Sequence, residues 1–290
     1  MRTTFQKTLE VLFQSHPDLV LLLGDIGVHS FSKMAQEYPQ RIYNVGILEQ
    51  TMVSLGAGLS KSGLNPILHS IAPFVVERPY EQIKIDFGYQ KLRGNIFSVG
   101  ASYDYSTLGA THHCPSDIAL MLLIPGTDIL IPGNDKELVG LMNEYVLNNK
   151  LSYFRLTENG HGLEGCFSNG EIIKTGKDLT VIAYGPTLNL AIEASKSFDI
   201  EIIYFNKVMP FESGVISKNC ASDKILILEP FYQYTTTHLV QVAMERNCFV
   251  KSIGVPREFI HDYGTFENLD QKLGFNVENI KSNISKMISS

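Results

Sequence analysis

Short, continuous apolar runs alternate with stretches of helical spacing along the whole chain, and this alternation constrains the fold most. The run Leu19–Leu23 contains no polar residue, which is typical of a strand buried on both faces of a parallel sheet. Just before it, Phe5, Leu9 and Phe13 recur at helical spacing. This rhythm predicts an α/β protein whose mostly parallel sheets are flanked by helices.

The same reading predicts two domains. Residues 158–177 are rich in glycine and lack periodicity, as expected of a crossing between domains. We therefore predict one domain over residues 1–165 and a second over residues 166–290. Further predicted strands are 65–71, 96–100, 129–132, 152–156, 179–185, 200–205, 224–229 and 250–255. Predicted helices are 3–15, a segment beginning at 49, 73–86, 117–122, 135–148, 188–197 and 269–288.

Composition argues against two classes of partner. The net charge of −6, with scattered Lys and Arg, argues against a nucleic-acid surface. No apolar run approaches the roughly 18 residues needed to cross a membrane, and the first residues lack the apolar core of a signal peptide.

The cysteines show no CxxC pair or metal-ligand spacing and are expected to be reduced in a cytoplasmic protein. They are Cys114, Cys166, Cys220 and Cys248.

Two acidic residues follow predicted strands, where open α/β sheets bind their ligands. Glu49 stands between the apolar run 42–47 and a segment rich in small residues, so we expect its carboxyl to be shielded from water. Asp25 follows Leu19–Leu23 and Gly24. Equally, Glu49 could complement a helix dipole and Asp25 could cap a helix or form a turn. A polar loop, residues 102–113, follows another strand and has the composition of a functional loop.

Three motifs occur in order at informative spacing: Gly46–Gln50, the helix start at Phe74–Ile83, and Gly109–His113 followed by Asp117. Together they resemble the pyrimidine-binding domain of the transketolase superfamily of thiamine diphosphate enzymes. The remainder resembles the transketolase C-terminal domain and, in one stretch, 1-deoxyxylulose-5-phosphate synthase. These later segments are Gly185–Thr187, Val255–Phe259 and Gly264–Leu269.

The resemblance also implies a partner. Transketolases hold magnesium and the cofactor diphosphate with a Gly-Asp-Gly motif, whereas this chain has only Gly24-Asp25-Ile26. The chain thus resembles the small subunit of a split transketolase. A separate N-terminal-type subunit would supply the Mg²⁺ ligands, so no metal ligands are expected here. The small subunit would also associate with itself, and the substrates would be sugars or sugar phosphates.

By the resemblance, Glu49 would hydrogen-bond the aminopyrimidine of thiamine diphosphate and promote removal of the thiazolium proton. Phe74 would stack on the pyrimidine. With an offset of one residue, Val75 would instead occupy the position of the stacking residue. Ile47 and Arg78 are the other candidate cofactor contacts. As an isolated aromatic, Phe74 would more often be a core residue.

His112 matches the family histidine that faces the reacting carbon, while His113 and Asp25 are candidate substrate contacts. Arg155 matches an arginine that grips the substrate phosphate; its alternative is a surface salt bridge. Leu108 stands where transketolases usually carry an aspartate that contacts the donor sugar. The ordered motifs as a whole imply transfer of a two-carbon ketol unit, although Leu108 departs from the family pattern. The alternatives are an acyl-transferring or pyruvate-decarboxylating subunit, and a non-catalytic assembly subunit.

Overall fold

The computed structural model describes residues 1–289, which form two sheets covered by helices. The predicted α/β class, with two mostly parallel sheets, is confirmed. The strands are β1 Leu19–Leu23, β2 Ile42–Asn44, β3 Asn65–Ile71, β4 Gly94–Val99, β5 Asp128–Leu130, β6 Leu151–Arg155, β7 Glu171–Lys174, β8 Thr180–Tyr184, β9 Glu201–Phe205, β10 Lys207–Met209, β11 Lys224–Tyr232 and β12 Phe249–Val255.

The helices alternate with these strands, as the apolar rhythm predicts. They are α1 Arg2–Ser15, α2 Ser32–Glu37, α3 Glu49–Lys61, α4 Tyr80–Gln82, α5 Asp117–Leu122, α6 Asp135–Tyr145, α7 Leu188–Ser195, α8 Ser213–Asn219, α9 Thr237–Met244, α10 Phe266–Leu273 and α11 Val277–Ser289. Two π-helical segments, Pro73–Glu77 and Ile83–Tyr89, flank α4.

The first sheet has the strand order β10-β5-β6-β4-β3-β1-β2. Strands β1 to β6 pair in parallel, so their carboxyl ends all lie at one edge. The apolar residues of β1 are buried on both faces, because α1 and α6 pack on one side and α3 on the other. This edge is where the predicted site residues follow their strands.

The second sheet has the order β12-β11-β8-β9-β7, with β7 as its antiparallel edge strand. Helices α7 and α11 pack on one face, and α8 and α9 on the other. The two sheets are joined by β10, which follows β9 in the chain but pairs antiparallel with β5 of the first sheet. The sheets divide between Arg155 and Glu171, and the boundary at 165/166 stays a prediction.

Local detail departs from the sequence prediction in several places. The single helix expected over 73–86 is interrupted, because Pro79 cannot donate its backbone nitrogen inside a helix. The tail expected as one helix over 269–288 contains two helices separated near Gly274, which has φ +79°. Strand β7 lies within the predicted linker. No helix of residues 1–289 combines the length and apolar character needed to cross a membrane.

Candidate functional site

The candidate site begins where β1 ends beside the start of α3. The side chain of Asn44 organises this edge: its Oδ1 accepts from the backbone nitrogens of Asp25 and Gly46, both at 3.0 Å. Its Nδ2 donates to Oδ1 of Asp25 at 3.2 Å. Asp25 has φ +66°, a conformation that Asn and Asp tolerate better than most residues. These bonds fix the two loops between which Glu49 emerges.

Glu49 is the first residue of α3, and its side chain is buried. Its Oε2 accepts from Nη1 of Arg78 at 2.5 Å. Its Oε1 is buried and has no hydrogen-bond partner within the described chain. Gly24 leaves room for this carboxylate, because a β-carbon there would lie 3.4 Å from Cγ of Glu49 and 3.3 Å from Oγ of Ser70. The Ser70 oxygen is likewise buried and without a partner in residues 1–289.

Three more predicted residues continue from this carboxylate as one contiguous group. The guanidinium carbon of Arg78 lies 4.4 Å from the ring centroid of Phe74. Phe74 also meets the imidazole of His112, edge to face, with centroids 5.3 Å apart. The π-helical segment Pro73–Glu77 and the residue after it present Phe74 and Arg78 together. Glu49, Arg78, Phe74 and His112 thus form a strip, which we call the carboxylate–aromatic strip.

The loop carrying His112 is held from both domains. Thr111 Oγ1 lies 2.9 Å from Nδ1 of His112, and Tyr105 meets the same imidazole edge to face. Gly109 has φ +75°, and a β-carbon there would lie 2.6 Å from the ring of Tyr263 in the second domain. The positive φ favours glycine at this position, and the exposed Tyr263 ring packs against it. The next residue, His113, is buried, and burial lowers its pKa.

The remaining predicted cofactor and substrate contacts have different environments. Ile47 is largely exposed in the loop before α3. Val75, the alternative to Phe74, is fully buried in the apolar cluster that includes Phe87. Asp25 is exposed on the loop next to Gly24. Of these two candidates for the pyrimidine contact, Phe74 lies against Arg78 and His112, whereas Val75 lies in the core.

Arg155 lies apart from the carboxylate–aromatic strip. It is almost fully buried, and its Nε donates to Oδ2 of Asp117 at 2.7 Å. Its Nη2 donates to Oγ of Ser102 at 2.6 Å and to the carbonyl of Pro230 at 2.8 Å. The sequence predicted either a contact with substrate phosphate or a surface salt bridge. Arg155 instead forms an interior ion pair with Asp117. Its assignment to substrate phosphate stays a prediction.

Sequence reasoning missed Asn44, Ser70 and Tyr105. Asn44 and Ser70 end strands β2 and β3 or lie next to their last residues, so the strand-end argument applied to Asp25 would also have found them. Tyr105 lies within the polar loop already singled out. Within residues 1–289, no three His, Cys, Asp or Glu side chains group closely enough to hold a metal ion.

The chemistry available at the strip is specific. One carboxylate oxygen is shielded from water and lacks a partner, so a ligand with a matching hydrogen-bonding group would relieve its desolvation. An aromatic face lies beside it, and an imidazole able to exchange a proton lies at the far end. The strip therefore suits a heteroaromatic ligand next to a reaction that moves protons.

Comparison with known proteins adds a family assignment for the first domain. A family model described as "Transketolase, pyrimidine binding domain" matches residues 1–161. An uncharacterized 33.6 kDa protein of the fasciation locus of Rhodococcoides fascians is 31% identical, and the match covers 99% of this chain and 95% of that protein.

Two further proteins are similar over most of their length. One of the subunits of the apulose-4-phosphate transketolase of Phocaeicola vulgatus is 28% identical, with 89% of this chain and 88% of that protein covered. A solved structure described as "Split gene transketolase, inactive beta4 tetramer" superposes with a TM-score of 0.86 at 23% identity. That match covers 99% of this chain and 97% of the other.

Proposed function

The chain belongs to the transketolase family, and from this premise we propose that it is the small subunit of a thiamine diphosphate-dependent transketolase. In this proposal the enzyme transfers a two-carbon ketol unit between sugar-type substrates. A second chain of the N-terminal transketolase type supplies the magnesium and diphosphate site. The Phocaeicola relative is itself named as one subunit of a transketolase, which supports a divided enzyme.

The observation that carries the proposal is the free oxygen of Glu49. A buried carboxylate oxygen without a partner costs free energy, unless a ligand supplies the missing bond. The neighbouring Phe74 offers an aromatic face for a planar ring, so these residues fit an aminopyrimidine. In this proposal Glu49 and Phe74 hold the pyrimidine, and Ile47 contributes from the adjoining loop.

Thiamine diphosphate, when bound, supplies a nucleophilic carbon that can carry a ketol unit. The chain's own residues have complementary tasks. Oε1 of Glu49 shares a proton with the bound ring, while Arg78 holds Oε2 and fixes the orientation of the carboxyl. His112 lies at the other end of the strip, where it can hold or release a proton beside the substrate. Asp25 and His113 are the proposed substrate contacts, whereas Arg155 has no part in this proposal because Asp117, Ser102 and the carbonyl of Pro230 already occupy its guanidinium.

The first experiment is to purify the complex from its own cells and to measure its native mass and cofactor content. We expect this chain together with a second chain, and release of magnesium and thiamine diphosphate on denaturation. Two copies of each chain are expected, because in the enzymes that this chain resembles each site lies between chains. A homo-oligomer that takes up no cofactor when thiamine diphosphate is added would contradict the proposal and favour an assembly subunit.

The role of Glu49 is tested by calorimetric titration of thiamine diphosphate into the assembled complex with Glu49→Gln. Glutamine keeps the shape but cannot share the proton, so affinity should fall about tenfold or more, a loss of about 1.4 kcal/mol. Glu81→Gln is the matched control, since Glu81 is an exposed glutamate beyond the strip. Equal affinities for the two variants would remove Glu49 from the cofactor site, even if the complex and its ketol transfer stand.

A further inference from the structure

A partly open cavity lies between the two domains and shares no lining residue with the carboxylate–aromatic strip. This interdomain cavity has a volume of about 220 Å³ and lies beside the ends of β4 and β6 and one face of α10. Among the predicted site residues only Arg155 borders it. The other side of the cavity is formed by the second domain, including Leu190, Phe266, Asp270 and Phe275.

The two carboxylates that border this cavity differ in how well they are satisfied. Asp104 accepts from Thr157 Oγ1 and Asn159 Nδ2 through one oxygen, and from the backbone nitrogens of Ala101 and Glu158 through the other. Asp270 accepts at 2.6 Å from the hydroxyl of Tyr103, through Oδ1. Its Oδ2 has no hydrogen-bonding partner among the described side chains. Asp270 is therefore the carboxylate that a ligand can complete.

The electrostatic surroundings of Asp270 are negative. Burial, together with the charges of Glu267 and Asp104, raises the pKa of Asp270 to about 6. No Lys or Arg of residues 1–289 forms an ion pair with it. Arg155, which borders the cavity, is already held by Asp117. A positive ligand would thus relieve both the desolvation and the repulsion, whereas a phosphate would meet two carboxylates.

The walls of the cavity favour an organic cation over a metal ion. No group of three His, Cys, Asp or Glu able to ligate a metal occurs in the described chain. Instead, Phe266 stacks on Tyr103 with centroids 5.2 Å apart, and Phe275 and Leu190 add apolar surface. Aromatic faces beside a carboxylate attract ammonium groups that carry an apolar body.

We propose that the interdomain cavity is a binding site for a small protonated amine, with Asp270 as the anionic partner and Phe266 and Phe275 as the apolar walls. The site is separate from the proposed cofactor site and does not depend on it. The ammonium group takes the free oxygen of Asp270, and the apolar body occupies the space beside Leu190.

The test is calorimetric titration of the full chain, at neutral pH, with cyclohexylamine and with its neutral isostere cyclohexanol. We expect cyclohexylamine to bind with a dissociation constant on the order of millimolar, and at least about tenfold more tightly than cyclohexanol. Inorganic phosphate at the same concentration should neither bind in its place nor displace it. Equal binding of amine and alcohol, displacement by phosphate, or no amine binding would each overturn the proposal.

Variants assign the binding to this cavity. Asp270→Asn should weaken cyclohexylamine binding about tenfold. The matched control is Asp262→Asn, because Asp262 is an exposed carboxylate that pairs with Lys272 on the surface, and it should bind as wild type does. Leu190→Trp, which fills the cavity without touching the charge, should also abolish binding. Unchanged affinity in Asp270→Asn or in Leu190→Trp, with melting temperatures showing that both are folded, would place the amine elsewhere.

Discussion

Two arginine–carboxylate pairs in the first domain have similar distances but differ in the exposure of the arginine and in the bonding of the carboxylate. Arg78 and Glu49 meet at 2.5 Å, and Arg155 and Asp117 meet at 2.7 Å. Each arginine also lies near a phenylalanine ring, Phe74 at 4.4 Å in the first case and Phe231 at 5.7 Å in the second. The side chain of Arg78 is 35% exposed, whereas that of Arg155 is 2% exposed.

The difference lies in how completely each carboxylate is bonded. Asp117 also accepts from the hydroxyl of Tyr153 at 2.8 Å and from the backbone nitrogen of Ile118 at 2.9 Å, so both of its oxygens are satisfied. Glu49 leaves Oε1 without a partner in the described residues. A pair whose carboxylate oxygens all have hydrogen-bond partners stabilises the fold. A pair that leaves one buried oxygen without a partner, next to an aromatic ring, can bind a ligand there.

The largest expected effect separates the two arginines. Arg155→Met leaves Asp117 buried without its cation and should lower the free energy of unfolding by about 3–5 kcal/mol. Arg78→Met should cost only about 1 kcal/mol, because loss of a half-exposed guanidinium lets water reach Glu49. Urea denaturation of both variants measures the two values. Equal losses would show that exposure does not distinguish the pairs.

The buried His69 tests whether an unpartnered buried atom is enough to identify a ligand site. His69 bonds the carbonyl of Phe97 through Nδ1, and its Nε2 has no partner in residues 1–289, although it faces Gly27 and not a ligand space. An unsatisfied atom alone therefore does not mark a ligand site. The neutral imidazole is tolerated here, because burial lowers the pKa of His69 to about 4.

This pKa predicts a pH effect with a definite sign. The unfolded chain binds a proton at His69 below about pH 6.5, while the folded chain does so only near pH 4, so stability falls as the pH drops through that window. Urea denaturation should show wild type losing about 2–3 kcal/mol more than His69→Asn between pH 7 and pH 4. Asparagine can keep the bond to Phe97 without titrating. Parallel pH profiles for the two proteins would contradict the prediction.

The sequence predicted the elements of the fold better than their partners. The predicted strand 65–71 became β3 with the same bounds, although Asn65, His69 and Ser70 interrupt its apolar residues. The short strand β10 was missed, since only its pairing with β5 makes it a strand. Pro79 already indicated that the helix predicted over 73–86 would be interrupted.

For the candidate site, too, the sequence predicted the residues better than their long-range contacts. The motif resemblance singled out Glu49, Phe74, Arg78 and His112, which the fold brings into one strip. It could not reveal that Arg155 has an interior partner, because Asp117 lies 38 residues away and the guanidinium is also held by the carbonyl of Pro230 in the second domain. Long-range pairing of charges is decided by tertiary packing and not by local pattern.

A smaller effect is expected at the loops that frame Glu49. Asn44→Ala removes the acceptor for the backbone nitrogens of Asp25 and Gly46, and should cost about 1–2 kcal/mol of unfolding free energy. Hydrogen exchange should show faster exchange at residues 24–27 and 44–48 than in wild type, while the interior Arg155 pair stays protected. Uniform exchange changes across the domain would mean that Asn44 serves global stability only.

The smallest expected effect is that of Glu49→Gln, and it tests the comparison most sharply when the same chemical change is made at Asp117. Asp117→Asn removes the charge that holds Arg155 and should cost about 3 kcal/mol or more. Glu49→Gln keeps an oxygen for Arg78 and exchanges the unpartnered oxygen for an amide, so the free chain should change by less than about 1 kcal/mol. Urea denaturation without added cofactor measures both. If Glu49→Gln were as costly as Asp117→Asn, Glu49 would be a structural residue and its free oxygen would carry no functional meaning. A negligible cost, beside the loss of cofactor affinity expected in the complex, would identify a carboxylate retained for its ligand and not for the fold.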